Sequence, residues 1–204
     1  MKVLLVNGSP NIHGCTDTAL QEVSKTLNEA GIETEIFWIG NRAMQGCIGC
    51  DRCASEHRCI FDDKVNEFID KAKDADGFVF GSPVYYGSAN GSLIAFMDRV
   101  FYAADSDIFY LKPAASIASA RRAGTTFTCD ELDRFFSLMQ MPIITSRYWN
   151  IIFGNTPDEV RKDLEGMQVM RTLGRNMAYF IRSLKQADLP KPEREKTAYT
   201  NFIR

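Results

Sequence analysis

Short, continuous apolar runs alternate along the chain with segments of helical periodicity. Val3–Val6 contains four apolar residues without polar alternation, and Gly77–Gly81 encloses a similar run. Such runs are typical of strands covered on both faces, as in a parallel sheet. Between them, apolar residues recur at spacings of three and four, which predicts amphipathic helices. The alternation therefore predicts an α/β domain with a doubly wound parallel sheet and helices on both faces.

The same patterns predict five strands and five helices. The strands are expected at Val3–Val6, Glu33–Ile39, Gly77–Gly81, Ala114–Ala118 and Pro142–Thr145. The helices are expected to carry the apolar stripes at Leu20–Ala30, Val65–Ala72, Leu93–Phe101 and Leu132–Met139, and to include one long helix from Thr156 to about Leu184. The sequence Thr-Pro-Asp-Glu at 156–159 is typical of a capped helix start. We expect one domain over 1–188 and a C-terminal tail over 189–204.

Composition excludes several classes of protein. The net charge is −2, whereas a nucleic-acid binder needs a clear cationic surplus. No stretch approaches the ~20 apolar residues that a membrane span requires. The first apolar run is too short for a signal peptide, and the six cysteines are too few for a secreted disulfide scaffold. We therefore expect a cytoplasmic, reduced protein that binds neither nucleic acid nor membrane.

The loop after the first predicted strand is rich in small and hydroxyl residues and opens onto a helix. Unpaired backbone N–H groups and the helix dipole at such a site suit a phosphate. The loop contains no lysine or arginine and matches neither the dinucleotide-binding glycine pattern nor the P-loop. It therefore favours a monoester phosphate, the alternative being an ordinary capped turn. The candidate binding residues are Ser9, Asn11, Gly14, Cys15, Thr16 and Thr18.

Two further loops follow the third and fourth predicted strands. One carries two adjacent aromatic residues, and the other carries small residues with two cations. Because open α/β sheets bind ligands at the carboxyl ends of their strands, a planar, electron-rich ring is expected between these loops. The alternative is a turn with tyrosines that face solvent. The candidate residues are Pro83, Val84, Tyr85, Tyr86 and Gly87 in one loop, and Ser119, Arg121, Arg122 and Gly124 in the other.

Four cysteines lie in a compact pattern, C-x2-C-x2-C-x5-C, inside a segment over 46–60 that we interpret as a long loop. They are Cys47, Cys50, Cys53 and Cys59. Two-residue gaps let thiolates converge on one centre, and four thiolates suit a [4Fe–4S] cluster or Zn²⁺. Zinc sites usually pair two knuckles across a longer gap, so the single run is less typical of zinc. A metal-free cysteine loop is the remaining alternative.

The motifs together resemble a known family. Gly-Ser-Pro-x5-Cys-Thr at 8–16, Gly-Ser-Pro-Val-Tyr-Tyr-Gly at 81–87 and Ser-Ala-Arg-Arg-x-Gly at 119–124 are similar to those of NADPH-dependent FMN reductases and iron–sulfur flavoproteins. These proteins belong to the flavodoxin-like superfamily, and the likeness spans about residues 1–184. The resemblance implies a five-stranded sheet in the order 2-1-3-4-5, with FMN at the switch point between the first and third strands.

The resemblance also implies roles for the candidate residues. Ser9, Cys15 and Thr16 would hold the FMN phosphate, and the loops at 83–87 and 119–124 would flank the isoalloxazine ring. The four clustered cysteines would ligate a [4Fe–4S] cluster. Relatives often carry Arg after Gly-Ser-Pro and Asn at the position of Cys15, so Asn11 and Cys15 weaken the phosphate electrostatics here.

The function that the resemblance implies is an FMN-dependent oxidoreductase. It would move electrons from NAD(P)H to a quinone, a nitro compound or another small-molecule acceptor, with no catalytic side chain because the chemistry occurs on FMN. One alternative is an iron–sulfur electron carrier that exchanges electrons between ferredoxin, the cluster and FMN. Another is a non-catalytic binding module that has kept the fold. Relatives also imply a homodimer or homotetramer, in which a second subunit closes the pocket.

Overall fold

Five parallel strands form the central sheet of the computed structural model, which describes residues 1–200 and Phe202. In chain order the strands are β1 (Lys2–Asn7), β2 (Glu33–Trp38), β3 (Gly77–Tyr85), the two-residue β4 (Ser88–Ala89), β5 (Ala114–Ala120) and β6 (Ile151–Phe153). The sheet order is β2-β1-β3-β5-β6, and β4 pairs only with β3, antiparallel to it. The order therefore reads 2-1-3-5-6 rather than 2-1-3-4-5, because the sequence analysis did not anticipate β4.

The described residues form seven α-helices, most of which cover the two faces of the sheet. They are α1 (Cys15–Glu29), α2 (Cys53–Glu56), α3 (Lys64–Ala72), α4 (Gly91–Ala103), α5 (Thr125–Leu138), α6 (Pro157–Lys162) and α7 (Leu164–Ala187). The short α2 interrupts the segment that was predicted to be entirely loop. None of the described helices combines the length and apolar composition needed to cross a membrane.

The continuous apolar run of β1 is explained by burial on both sides. Leu4 and Val6 pack with side chains of α3, α4 and α5, whereas Val3 and Leu5 pack with those of α1 and α7. All four side chains are fully buried. Full burial of an aliphatic side chain contributes about 1.5–3 kcal/mol, so the two cores hold the helices against the sheet.

The predicted fifth strand at Pro142–Thr145 is wrong in position. Ile143 forms only an isolated bridge with Ala114, and the ladder with β5 resumes at β6. The chain between these two pairings leaves the sheet, and Asn150 brings it back by accepting a backbone bond from Ala118 at 3.0 Å. Proline has no N–H to donate to a ladder, which favours a short pairing at 142–144.

The predicted long C-terminal helix is two helices that meet at Asp163. Thr156 caps α6 by accepting from the Glu159 N–H at 3.2 Å, as the sequence predicts. The Asp163 carboxylate accepts from the Gly166 N–H at 2.9 Å and from the Phe153 N–H at 2.8 Å. This carboxylate thus starts α7 and ties it to β6. The predicted helix contains two glycines at which it could be interrupted, Gly166 and Gly174, and the break lies three residues before the first of them. A Cβ at Gly166 would collide with the Asp163 carboxylate, so the cap needs a glycine there.

The residues that follow α7 run back over their own chain. Arg194 lies 3.9 Å above the centre of the Tyr110 ring and pairs with Asp107 at 2.8 Å. The Tyr110 hydroxyl donates to the Pro192 carbonyl at 3.3 Å. These contacts lie before β5, at the amino edge of the sheet, so residues 192–194 lie away from the carboxyl edge.

Candidate functional site

Three strand-end loops meet at the carboxyl edge of the sheet. The Gly8 N–H donates to the Gly81 carbonyl at 2.9 Å, which joins the loop after β1 to β3. The Asn90 amide donates to the Gly8 carbonyl at 2.6 Å, and the Thr16 and Ser119 hydroxyls are 2.7 Å apart. Neighbouring β1 and β3 are followed by helices on opposite faces, so this edge contains a topological switch point where open α/β sheets bind ligands.

The loop after β1 ends at a helix N-terminus that no side chain caps. Gly14 occupies the N-cap position with extended backbone angles, and its N–H donates to the Asn11 carbonyl at 3.1 Å. The Ser9 hydroxyl accepts from the Asn11 N–H at 3.1 Å, and the Ser9 N–H donates to the Asn7 side chain at 3.0 Å. The first turn of α1 therefore offers backbone N–H groups and the positive end of its dipole to an anion.

Three of the predicted phosphate-binding side chains are engaged within the protein. The Thr16 hydroxyl pairs with Ser119, and the Thr18 hydroxyl donates to the Gly14 carbonyl at 3.1 Å. The Cys15 thiol donates to the Gly154 carbonyl at 3.6 Å, and burial raises its pKa. The structure thus gathers Ser9, Asn11 and Gly14 around the helix start, while these three side chains join the loop to its surroundings.

The loops after β3 and β5 are in direct contact. Tyr86 and Gly87 have φ values of +52° and +81°, which is the two-residue turn that joins β3 to β4. Gly124 has φ +87°, and a Cβ at that position would lie 2.7 Å from the Gly87 Cα and 2.8 Å from a Val84 methyl group. Only a glycine allows this approach. Tyr85 is half-exposed and Tyr86 fully exposed, so both rings are available to a ligand or a partner.

The two predicted cations of the third loop are exposed. Arg121 and Arg122 make no hydrogen bond or ion pair with any residue that the structure describes. They precede α5, whose N-cap Gly124 also has no side-chain cap. Two uncapped helix N-termini and two unengaged guanidinium groups therefore follow β1 and β5, the strands on either side of β3, at one edge of the sheet. This is an environment for an anionic or electron-rich ligand.

Sequence reasoning missed the residues that shape the first loop from outside it. The Trp38 indole N–H, at the end of β2, donates to the Ser9 carbonyl at 2.7 Å. Asn90 caps α4 by accepting from the Ser92 N–H and also holds Gly8. Only their positions in the sequence could have indicated this role. Trp38 ends a strand and Asn90 precedes a helix, so both lie at the carboxyl edge of the sheet.

The four cysteines of the 46–60 segment line one small pocket against α4. Cys53 and Cys59 are half-buried, Cys47 and Cys50 are exposed, and burial raises the pKa of Cys53. The remaining walls are mainly apolar, with one buried cation, and comprise Ile48, Asp51, Ile60, Phe61, Arg99, Tyr102 and Ala103.

Within the described part of the chain, no three His, Cys, Asp or Glu side chains are close enough to hold one metal ion. A cubane cluster takes one thiolate on each of four irons, so its ligands lie further apart than those of a single ion. Four thiols around one apolar-walled space are a donor set that suits a [4Fe–4S] cluster.

Side chains of α3 and α4 fix the cysteine segment in place. The buried Asn66 side chain accepts from the Cys59 N–H at 2.9 Å and donates to the Cys59 carbonyl at 2.9 Å. The Tyr102 hydroxyl donates to Asp51 at 2.7 Å. Arg99, which is 1% exposed, donates its Nε–H to the Cys59 sulfur at 3.2 Å. Sequence analysis missed Asn66 and Arg99, whose only signal is a polar residue within an apolar helical stripe.

A second pocket lies between α5 and the segment 143–150. It contains Ser116, Cys129 and Asp133, with Tyr148 and Trp149 at its rim. Burial raises the pKa of Asp133 to about 6 and that of the Cys129 thiol to about 12. None of these residues was predicted to bind a ligand, and the pocket has no hydrogen bond to the loops described above within the described residues.

The parallel sheet in this order, with helices on both faces and an uncapped helix start at the switch point, defines a flavodoxin-like protein. Comparison with models of protein families identifies the family within this fold class. The family model for NADPH-dependent FMN reductase matches residues 1–156, and the chain belongs to that family of flavoproteins.

Individual relatives agree with this assignment. An iron–sulfur flavoprotein of Methanocaldococcus jannaschii is 31% identical over 195 residues, which cover 91% of this chain and 100% of the relative. An iron–sulfur flavoprotein of Archaeoglobus fulgidus is 28% identical over 190 residues, or 88% of this chain and 97% of the relative. Among solved structures, RosB with bound 8-demethyl-8-formylriboflavin-5′-phosphate superposes with a TM-score of 0.75 at 13% identity, covering 100% of this chain and 92% of RosB.

Proposed function

We propose that this protein is an iron–sulfur flavoprotein that passes electrons from a one-electron donor of the ferredoxin type to a small-molecule acceptor. The observation that carries the proposal is that four thiols meet in one apolar-walled pocket on α4, the helix whose cap, Asn90, holds the loop after β1. When bound, FMN supplies both one- and two-electron chemistry, and a [4Fe–4S] cluster supplies single electrons. Relatives of nearly full length carry the same descriptive name.

The residues at the carboxyl edge fit an FMN whose phosphate is held without lysine or arginine. The uncapped start of α1, with Ser9, Asn11, Gly14, Cys15, Thr16 and Thr18 around it, would bind the phosphate through backbone N–H groups and hydroxyls. Pro83–Gly87 and Ser119–Gly124 would flank the ring. The start of α5 and Arg121 or Arg122 would face the ring edge on which negative charge gathers when the flavin is reduced.

Cys47, Cys50, Cys53 and Cys59 would each hold one iron of the cluster. The four thiols are the donor set of a [4Fe–4S] cluster, and the apolar walls would keep water from it. The Arg99 Nε–H would donate a hydrogen bond to one of the negatively charged sulfurs. Asn66 keeps the backbone of Cys59 in place on α3. These side chains position ligands and exclude water, and none of them acts as an acid or base.

A second candidate function is the direct oxidation of NAD(P)H by bound FMN. The description of the matching family model favours it, and the unengaged Arg121 and Arg122 offer cations for a nucleotide phosphate. In either case, the exposed Tyr85 and Tyr86 leave the ring site open on one side. We infer that a second copy of the chain covers it, in a homodimer or homotetramer.

Three measurements on protein purified without oxygen distinguish these functions. They are the absorbance spectrum, the iron content and the reduction of the protein by NADPH or by reduced ferredoxin. Flavin bands with additional broad visible absorbance, iron in the cluster ratio and reduction by ferredoxin are the expected result. Flavin alone, reduced rapidly by NADPH, would support the second function. A colourless protein that takes up no added FMN would contradict both and favour the non-catalytic binding module.

The phosphate site is tested by placing a carboxylate at the start of α1. We expect Gly14→Asp to lower FMN affinity at least tenfold, because its carboxylate would occupy the N–H groups and dipole that the phosphate needs. A Cβ at Gly14 would lie 3.0 Å from the Asn11 Cβ and 3.2 Å from the Asn11 carbonyl oxygen, so any side chain crowds the loop at this position. Gly14→Ala adds a Cβ without charge and is the matched control. Unchanged FMN affinity in Gly14→Asp would place the phosphate elsewhere.

A further inference from the structure

The fully buried cation of the cysteine pocket is Arg99, in the middle of α4. Its guanidinium group donates to both carboxylate oxygens of Asp63 at 2.8 and 2.9 Å and to the Gln45 carbonyl at 3.2 Å. The Nε–H is directed differently and meets the Cys59 sulfur at 3.2 Å. The Phe61 ring covers the group, with its centre 4.9 Å from the guanidinium carbon. One charged donor is thus held against one thiol of the four.

Stability alone does not account for this arrangement. A buried ion pair loses so much hydration that a well-packed apolar pair of similar volume is often as stable or more so. Asp63 is one-third exposed, so it does not require a buried partner. The arrangement does give Cys59 a positive charge and a hydrogen-bond donor in a site of low dielectric, where both interact strongly with a thiolate.

We propose that Arg99 positions Cys59 as a cluster ligand and raises the reduction potential of the [4Fe–4S] cluster that the pocket would hold. The inference rests on the proposed function. Cluster potentials depend on hydrogen bonds to the sulfurs, on nearby charge and on burial. Reduction adds one negative charge to the cluster. A nearby guanidinium group, which is always protonated in proteins, therefore stabilises the reduced cluster more than the oxidised cluster.

Asp63 has the opposite effect. Its carboxylate lies beyond the guanidinium group and offsets part of the positive charge that the sulfur experiences. Removing the guanidinium should therefore lower the potential, whereas neutralising the carboxylate should raise it. A loss of packing alone would not produce opposite shifts, so the pair of variants separates an electrostatic role from a structural one.

The first test compares Arg99→Met, Arg99→Lys and Asp63→Asn with the unmodified holoprotein in a redox titration followed by EPR. At a fixed solution potential, Arg99→Met should reduce the ratio of reduced to oxidised cluster about tenfold, equivalent to about 59 mV for one electron. Arg99→Lys should restore part of the loss. The Asp63 carboxylate also caps α3 by accepting from the Val65 N–H, and Asp63→Asn keeps a side-chain oxygen for that bond. Asp63→Asn should shift the ratio upward. Full iron content with unchanged potential in Arg99→Met, or shifts of the same sign in both variants, would overturn the inference.

The second test needs no change at Arg99. Protein grown with arginine labelled with ¹⁵N in the guanidinium group is reduced, and hyperfine coupling to the cluster is measured by pulsed EPR. Coupling should be present and should persist in Arg52→Gln and Arg58→Gln, which alter exposed arginines of the same segment. Absent coupling in an iron-containing protein would overturn the inference, whereas absent iron would instead contradict the proposed function.

Discussion

Thr16 illustrates how one residue can have a different partner from the one its motif suggests. Its motif predicts a phosphate ligand, yet its hydroxyl lies 2.7 Å from that of Ser119, and both residues are almost fully buried. The bond joins the loop after β1 to the end of β5, so it holds two sides of the candidate FMN site together. Removing either hydroxyl leaves the other buried without its partner, which is costly.

We predict that Thr16→Val and Ser119→Ala each lower the free energy of unfolding by about 1–3 kcal/mol. The double variant should cost clearly less than the sum, because no hydroxyl is then left unpaired. Urea unfolding of the FMN-free protein measures these values. Thr172→Val, which removes a more exposed helical hydroxyl, should change stability by less than about 0.5 kcal/mol. Strictly additive effects would show that the two hydroxyls are not coupled.

Residues differ in how much of their role a sequence reveals. The convergence of Cys47, Cys50 and Cys53 follows from their spacing, because a short segment brings them together whatever the rest of the chain does. Arg99 meets Cys59 and Asp63 across 40 and 36 residues of chain, and only the packing of α4 on α3 makes these contacts. A single arginine within an apolar stripe is otherwise indistinguishable from one on a solvated face.

At the scale of elements, the apolar patterns predict the type of each segment, helix or strand, more accurately than its ends. The strands and helices that fill both cores were predicted, because burial on two faces leaves a strong pattern. The edge strand was misplaced, since Ile143 and β6 share one edge of β5 in two short pieces. The break between α6 and α7 depends on the N–H groups that donate to the Asp163 carboxylate. The spacing of apolar residues does not predict these hydrogen bonds.

The packing of α5 on β5 buries a carboxyl group, which predicts a pH dependence. Burial raises the pKa of Asp133 from its ordinary value of 3.8 to about 6. Between these pH values the folded protein binds more protons at this group than the unfolded chain. The contribution of Asp133 to stability is therefore full below about pH 4 and lost as the pH rises through 6, amounting to at most about 3 kcal/mol.

Asp133→Asn should remove this decline and make the protein more stable than the unmodified chain at pH 7.5, since the amide carries no charge to desolvate. Urea unfolding at pH 5 and at pH 7.5 measures both effects. Asp74→Asn, at an exposed position, is the matched control and should leave the pH dependence unchanged. A decline that persists in Asp133→Asn would assign it to other groups.

In the whole molecule, α4 connects the two candidate sites. Its cap, Asn90, holds Gly8 at the carboxyl edge, and Arg99 meets Cys59 about 14 Å further along, at 1.5 Å per residue. The fold predicted from the sequence placed the three strand-end loops at one edge of the sheet, and the structure confirms this placement. The position of the cysteine pocket relative to them was not predictable, because it depends on the packing of a segment that contains only one short helix.

Although α4 connects them, the two sites are held by different contacts. We predict that the combined change of Cys50→Ser and Cys53→Ser removes the iron and leaves FMN content unchanged, because the bonds from Gly8 to Gly81, from Asn90 to Gly8 and from Thr16 to Ser119 do not involve the cysteine segment. Iron analysis and flavin absorbance of the same anaerobic sample measure both quantities. Ala54→Ser adds a serine to α2 and should keep the iron. Loss of FMN together with iron would show that the cysteine segment organises the flavin site, and the shared helix would then be a mechanical link as well as a spatial one.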